Sequence, residues 1–321
     1  MHDKLDPALE APLKQFYLFT GGKAIEMNDI SMARRAWERM ATEARADLPP
    51  IDGVIVEDRL VPGPAGAPEV RLRIYRPVGA TGMMPTVFWI RGGGLIMGWL
   101  EQDDRPSRLL SLAANCVVVA VEYRWAPEHP FPAPVEDCYA GLKWLSNHAG
   151  DVGVDNSRIV IAGESGGGAV CGSLAYFVRD RAEFGVILQM LICPQLDDRD
   201  ALPDPTCDQW FVTYPPRSCW VGWNAYLNQE PGASEVPLYS VPARVSDLRG
   251  LAPACILVSD LDIFCKASVA YAGRLIEANV PVELHVYPRA YHGFQLFAPE
   301  SSVSKRYFSD RIYALQRAFN G

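Results

Sequence analysis

The residues best suited to chemistry stand at a strand-to-helix junction. An apolar run, RIVIAG (158–163), leads into GESGGG (163–168) and sets Ser165 between Gly163 and Gly167. In a sharp turn of this kind the glycines relieve crowding, and the hydroxyl is held exposed near a helix N-terminus that favours negative charge. A serine of ordinary acidity also needs a base, an acid to orient that base, and donors for the oxyanion it creates. Of the five histidines, His292 in RAYHGF follows the last apolar run, VELHVYP (282–288), where a parallel sheet presents functional residues. His285 lies inside that run and His129 is hemmed by prolines, so packing or surface roles suit them better; His2 and His148 have no supporting context. The acid falls to Asp260 or Asp262 in ACILVSDLDIF. Either can reach a histidine from a loop, and one of them could instead cap the helix beginning near Lys266. Upstream, VFWIRGGGLIMG (87–98) sets Gly92, Gly93 and Gly94 straight after an apolar run, so that backbone N–H groups can approach a developing oxyanion unobstructed.

Such groups need a sheet to carry them. Short apolar, β-branched runs at 70–75, 86–90, 116–123, 158–163, 186–193, 254–259 and 282–288 alternate with segments of helical period such as 135–148 and 266–279. That alternation implies an α/β fold with a mostly parallel sheet covered on both faces. The chain order serine, aspartate, histidine is that of an α/β-hydrolase triad and differs from the two familiar serine-protease orders. Residues 1–50 read as a helical segment ending at Pro49 and Pro50, and residues 197–247 are rich in Pro and aromatics, among them Trp210, Phe211, Tyr214, Trp220, Trp223 and Tyr226. The expected organisation is an N-terminal cap segment (1–50) and a catalytic domain (51–321) with a cap insertion at about 197–247, the two caps roofing one pocket.

Composition narrows the partners. Across 321 residues, 30 Lys+Arg stand against 38 Asp+Glu, a net −8 with no block of like charge, so the footprint of a nucleic-acid binder is missing. A small molecule is the expected partner. The N-terminus carries acidic residues with Pro7 and Pro12, and no run of about 18 apolar residues occurs, which leads to the expectation of a soluble cytoplasmic protein without a membrane partner. Of the eight cysteines, Cys116, Cys171, Cys193 and Cys255 fall inside apolar segments and none forms a CxxC pair, so buried free thiols are expected. Without HExxH or CxxC no metal site is expected. The chemistry needs no cofactor, and a monomer or a homodimer fits the sequence equally.

Four motifs in order, RGGG (91–94), YRWAPEHPFPAPVED (123–137), GESGGG (163–168) and YPRAYHGF (287–294), make the chain resemble the hormone-sensitive-lipase-like family of α/β-hydrolase carboxylesterases over most of residues 51–321. The resemblance implies an α/β-hydrolase fold with a helical cap, Ser165 as nucleophile, His292 as base, and Asp262 rather than Asp260 as acid, since LVSDLD matches the family's LVGELD. It implies oxyanion donors from the backbone of Gly93, Gly94 and Gly166, and small, fairly apolar esters of short to medium acyl chain as substrates. Leu95, Met97 and Trp99 beyond the glycines, with Trp210 and Phe211 of the insertion, are candidate substrate contacts that could equally be ordinary core. Lactone, carbamate or amide hydrolysis would use the same triad, whereas a hydrolase-fold binding protein would lack a member of it.

Two positions depart from the family pattern. An acidic pair after the catalytic acid is replaced by Lys266 and Ala267, at a helix start with little bearing on chemistry. More consequential is Arg91, which stands where the family has the histidine of HGGG, a residue that helps hold the glycine loop. A longer, permanently charged guanidinium must find another partner. The expectation is support of the loop through a nearby carboxylate; the alternative is a guanidinium that points into the pocket and binds an anionic substrate group.

Overall fold

A computed structural model describes residues 4–20, 24, 27–46, 48–204 and 211–321. Two helices open the chain, α1 (Pro7–Thr20) and α2 (Ile30–Ala46), followed by the strands β1 (Val54–Val61), β2 (Val70–Pro77) and β3 (Met84–Ile90). Alternation then sets in with α3 (Asp104–Ala114), β4 (Val117–Glu122), α4 (Ala133–Asn147), β5 (Val154–Glu164), α5 (Gly166–Arg181) and β6 (Leu188–Ile192). The chain closes with α6 (Pro216–Leu227), β7 (Ala254–Leu261), α7 (Cys265–Glu277), β8 (Val282–Tyr291), the single turn α8 (Phe294–Phe297) and α9 (Ser302–Asn320).

The eight strands form one sheet in the order β1-β2-β4-β3-β5-β6-β7-β8. β1 and β2 pair antiparallel, as do β2 and β4, and every pairing beyond β4 is parallel. All seven runs read as strands are strands. The eighth, β1, has no apolar run to announce it, because VIVEDRLV sits at the sheet edge with Glu57, Asp58 and Arg59 exposed in its middle. Asp58 is gripped across the ladder by Arg71 at 2.6 Å and Arg73 at 2.7 Å, which makes a charged edge of the kind that discourages strand addition.

Side chains alternate between two cores, as the two-residue period of a strand requires. Phe88 and Ile90 of β3 join Leu72, Val119, Val121 and Ile161 on one face. Val87 and Trp89 join Tyr75, Val118 and Val160 on the other, where α9 and the apolar residues of α1 (Leu9, Leu13, Phe16) close over them.

The strand order positions the site. The chain leaves β3 toward β4 on one side, while β5 lies on the other, so the C-terminal ends of β3 and β5 flank the crevice where open α/β sheets bind ligands. The ladder pairs Ile90 with Gly163, the last residues before the glycine loop and the serine turn.

Phe88 is fully buried in this frame. Its replacement by alanine is expected to lower unfolding free energy by about 3–5 kcal/mol, read by denaturant melts. Ile55→Ala on the exposed β1 edge should stay within about 0.5 kcal/mol of the parent; equal losses in the two variants would contradict this core assignment.

Candidate active site

Four strand ends converge here: β3 delivers the glycine loop, β5 Ser165, β7 Asp262 and β8 His292. Ser165 sits at φ 54° and ψ −119°, a conformation that non-glycine residues adopt only when the surroundings impose it. Those surroundings are backbone. The Ser165 amide donates to Ile192 O at 2.8 Å, and its carbonyl accepts from the amides of Gly168 and Gln195 at 2.8 and 3.0 Å. A Cβ on Gly167 would lie 2.3 Å from the carbonyl oxygens of both Ile90 and Arg91. Only glycine permits that approach, so the serine turn packs directly on the root of the glycine loop.

Ser165 Oγ lies 3.0 Å from His292 Nε2, and His292 Nδ1 lies 2.7 Å from Asp262 Oδ2. The other oxygen of Asp262 accepts from the Phe264 amide at 3.0 Å, tying the same carboxylate to the turn that leads into α7. Asp260 is elsewhere, accepting from the Arg289 amide at 2.6 Å. The two aspartates left open by spacing alone are thus separated by geometry. Among the other histidines, His285 pairs with Glu283, His148 bonds Trp144 O, and His129 is exposed. His2 lies outside the described residues.

The glycine loop turns on Gly93 O, which accepts from the amides of Ile96 and Met97, both at 3.1 Å. Gly93 takes φ 135° and would drive a Cβ to 2.1 Å from Met97 O, so the turn demands glycine. Among the described residues the amides of Gly93 and Gly94 donate to no backbone carbonyl. Gly166 is the first residue of α5, whose amide has no partner within the helix. A Cβ on Gly166 would stand 2.6 Å from Leu95 N and 2.9 Å from Gly94 N, so these amides gather beside Ser165.

Burial disfavours an imidazolium at His292, but the charge and hydrogen bond of Asp262 outweigh it, with help from the charge of Glu164, and the histidine is raised above its ordinary 6.5. Glu164 is itself held by Gln295 Nε2 at 2.5 Å. The rings of Tyr214 and Phe264 stand 5.4 and 5.2 Å from the imidazole, and Thr213 Oγ1 donates to His292 O at 2.7 Å.

The carboxylate partner expected for Arg91 is not there. Among the described residues Arg91 forms no ion pair; its Nη2 donates to Tyr123 O at 3.0 Å, its guanidinium carbon lies 4.0 Å above the Tyr123 ring, and Tyr123 Oη donates back to Arg91 O at 2.8 Å. Arg91 is 1% exposed, so it does not present its charge to a ligand. A different arginine also grips the loop. Arg34 of α2 donates to Ile96 O at 2.8 Å and Ala126 O at 3.0 Å, lies over Trp125, and pairs with both oxygens of Glu128, whose pKa its bond holds down to about 2.

Leu95 and Met97 are buried in the core cluster with Met27 and Tyr214. Trp99 and Phe211 are half-buried, and Trp210 lies outside the described residues. Arg34, Tyr123, Thr213 and Tyr214 went unassigned by sequence reasoning. Two of them had a signal: Tyr123 as the first residue of a recognised motif with no chemistry attached to it, and Tyr214 as one of the aromatics of the insertion read as a cap.

Two groups gather three metal-capable side chains each, Cys193 with Asp262 and His292, and Cys255 with Glu283 and His285. Burial, with the nearby carboxylates, pushes the Cys193 thiol well up, and burial pushes Cys255 to about 12; protonated thiols are poor ligands. Glu283 is also engaged by His285 and Arg317. The seven described cysteines are all free, and no helix among the described residues is long and apolar enough to cross a membrane.

The model of the alpha/beta hydrolase fold family matches residues 87–296. Carboxylesterase NlhH of Mycobacterium tuberculosis is 30% identical over 319 residues, covering 98% of this chain and 97% of that protein. Esterase LipI of the same organism is 33% identical over 270 residues, 83% of each chain. Among solved structures, the bacterial heroin esterase superposes with a TM-score of 0.90 at 34% identity, covering 99% of this chain and 98% of the other.

The raised affinity of His292 for its proton can be read by imidazole NMR. The wild type is expected to titrate above pH 6.5, and Asp262→Asn, which removes the charge but leaves the burial, should titrate below it. A wild-type midpoint at or below that of the variant would contradict the balance described.

Proposed function

The chain belongs to the alpha/beta hydrolase fold family, and from that premise we propose that it is a serine carboxylesterase in which Ser165, His292 and Asp262 form the triad. The protein hydrolyses carboxylic esters, as its relatives named esterase and carboxylesterase do. The observation that carries the residue roles is the continuous chain of bonds from Ser165 Oγ to His292 at 3.0 Å and on to Asp262 at 2.7 Å, beside loop amides that donate to no backbone carbonyl among the described residues.

Ser165 Oγ attacks the ester carbonyl while His292 Nε2 takes its proton, and Asp262 holds the imidazole in the tautomer that leaves Nε2 free to accept. Negative charge grows on the carbonyl oxygen, and the amides of Gly93, Gly94 and Gly166 stabilise it without reorganising. His292 gives the proton to the departing alcohol, leaving an acyl group on Ser165. Water then attacks that ester, losing its proton to His292, and the acid is released as the serine recovers its own.

The substrate is a small to medium, fairly apolar ester. Apolar and aromatic side chains surround the reacting groups: Leu95 and Met27 by the loop, Tyr214 and Phe264 by the histidine. The N-terminal helices and the insertion at about 197–247 act as the roof. Support comes from the Arg34 bonds to the loop, from Tyr214 Oη 2.8 Å from where a Gly94 Cβ would stand, and from Gly222, whose own Cβ would meet Gly94 O at 2.3 Å. Arg34→Ala, which frees α2, is expected to raise KM for longer esters while Ser165 still reacts with a small fluorophosphonate; an unchanged KM along the series would remove α2 from the roof.

Hydrolysis of p-nitrophenyl esters from acetate to dodecanoate tests the proposal. Turnover is expected to be best on the shorter chains, to fall as pH drops through the raised pKa of His292, and to decline on the order of 10⁴-fold or more in Ser165→Ala. A variant that keeps its turnover would exclude Ser165 as nucleophile.

A further inference from the structure

We propose that Arg91 is the positioning residue of the glycine loop and that it acts through Tyr123. The inference rests on the reading of Ser165 as the nucleophile and of the Gly93 and Gly94 amides as oxyanion donors. Arg91 is the first residue beyond β3, and Tyr123 the first beyond the neighbouring β4. The two residues close a reciprocal clasp. Arg91 Nη2 donates to Tyr123 O at 3.0 Å, Tyr123 Oη donates to Arg91 O at 2.8 Å, and the guanidinium carbon lies over the ring, 4.0 Å from its centroid. A cation held over a ring with one bond from each partner fixes rotation as well as distance, which a single hydrogen bond would not.

The clasp lies at the root of the loop that carries the donors. Arg91 Nε is 2.9 Å from where a Cβ on Gly98 would stand, next to Gly92 O, so the side chain runs under the turn that Gly92 to Gly98 make. The Arg91 carbonyl that receives the Tyr123 hydroxyl also lies 2.3 Å from the Cβ position of Gly167 in the serine turn. One peptide group therefore sets the loop against Tyr123 on one side and against the serine turn on the other. Arg91 is 1% exposed, and its Nε and Nη1 meet no acceptor among the described residues. A buried guanidinium left partly unsatisfied is poorly explained by stability, since apolar replacements of such groups are often neutral or better. Its burial also separates it from any anionic substrate group.

The test compares wild type with Arg91→Met, Arg91→Lys, Tyr123→Phe, the Arg91→Met/Tyr123→Phe double variant and Ser165→Ala. Three readouts are needed: kcat and KM for p-nitrophenyl acetate, the affinity of an aryl trifluoromethyl ketone whose serine adduct carries the oxyanion, and thermal midpoint. Arg91→Met is expected to lose about 10²-fold in kcat with KM within about threefold, and to lose ketone affinity by a similar factor. Its thermal midpoint should be unchanged or higher. Arg91→Lys, which keeps charge but not the planar fork, should not restore kcat, and the double variant should be no worse than Arg91→Met. Wild-type kcat and ketone affinity in Arg91→Met overturn the inference, as does a loss that merely follows a lowered melting point or one confined to carboxylate-bearing esters. If Arg91→Met does not fold, Tyr123→Phe decides: a loss of about tenfold in both kcat and ketone affinity supports the clasp, and full activity overturns it. A folded wild type that turns over no ester overturns the nucleophile reading and this inference together, whereas an active wild type with an unimpaired Arg91→Met overturns this inference alone.

Discussion

The contact on which the site depends is backbone against backbone. The carbonyls of Ile90 and Arg91 press on Gly167 so closely that a methyl group there would overlap both. The parallel pairing of β3 with β5, Ile90 opposite Gly163, brings the two turns level. The absence of side chains then lets them touch. Everything else arrives at this point: β7 and β8, paired through Leu261 and Tyr291, set Asp262 and His292 at the height of Ser165. Because the serine turn and the glycine loop share one contact, a shift in either would move the proposed nucleophile relative to the proposed donors. Rigidity at this seam matters more to such chemistry than any single hydrogen bond, since donors aimed in advance at the developing charge need no reorganisation.

That logic explains how a costly residue can sit beside the seam. A desolvated cation–π contact is worth about 2 kcal/mol or somewhat more, and a hydrogen bond to a neutral carbonyl about 1 kcal/mol. Removing a guanidinium from water costs several kcal/mol, and among the described residues no carboxylate pairs with this one, whose Nε and Nη1 meet no acceptor. Arg91 is on balance an expense to stability, carried where it holds two strand ends in one orientation. The second arginine, Arg34, follows the usual rule: half-buried, it has a carboxylate partner in Glu128 and two carbonyl acceptors.

The sequence made the central sheet legible because parallel strands buried on both faces need unbroken apolar runs, and seven of eight had them. β1 escaped for the opposite reason. An antiparallel edge strand needs only one neighbour, and its Glu57, Asp58 and Arg59 read as loop. The serine turn and the histidine were legible from glycine placement and chain order, while Asp260 and Asp262 are too close in sequence for spacing to separate and were told apart only by the family pattern. Arg91 shows where sequence reasoning stops. A carboxylate is the usual partner of a guanidinium, so one was expected; Tyr123 supplies a carbonyl and an aromatic face instead, and neither leaves a mark in composition or charge. Arg34 was invisible for a related reason, because its partners lie 62 to 94 residues away.

The same economy of charge governs the ground around the histidine. A base must be neutral to accept a proton, yet Asp262 and Glu164 both favour its charged form. A third carboxylate ionised nearby would add to that load. Asp200 lies close enough to feel Asp262, but burial first, and then the neighbouring Asp197 and Asp262, push its pKa up to about 8. Its Oδ2 is buried with no hydrogen-bond partner among the described residues to favour the anion. Both effects favour the neutral acid, and burial first, then these carboxylates, push the Cys219 thiol well above its ordinary range. Hydrogen-bond donors divide these two acids: Asp262 has the Phe264 amide and the imidazole, whereas the buried Asp200 Oδ2 has no donor among the described residues.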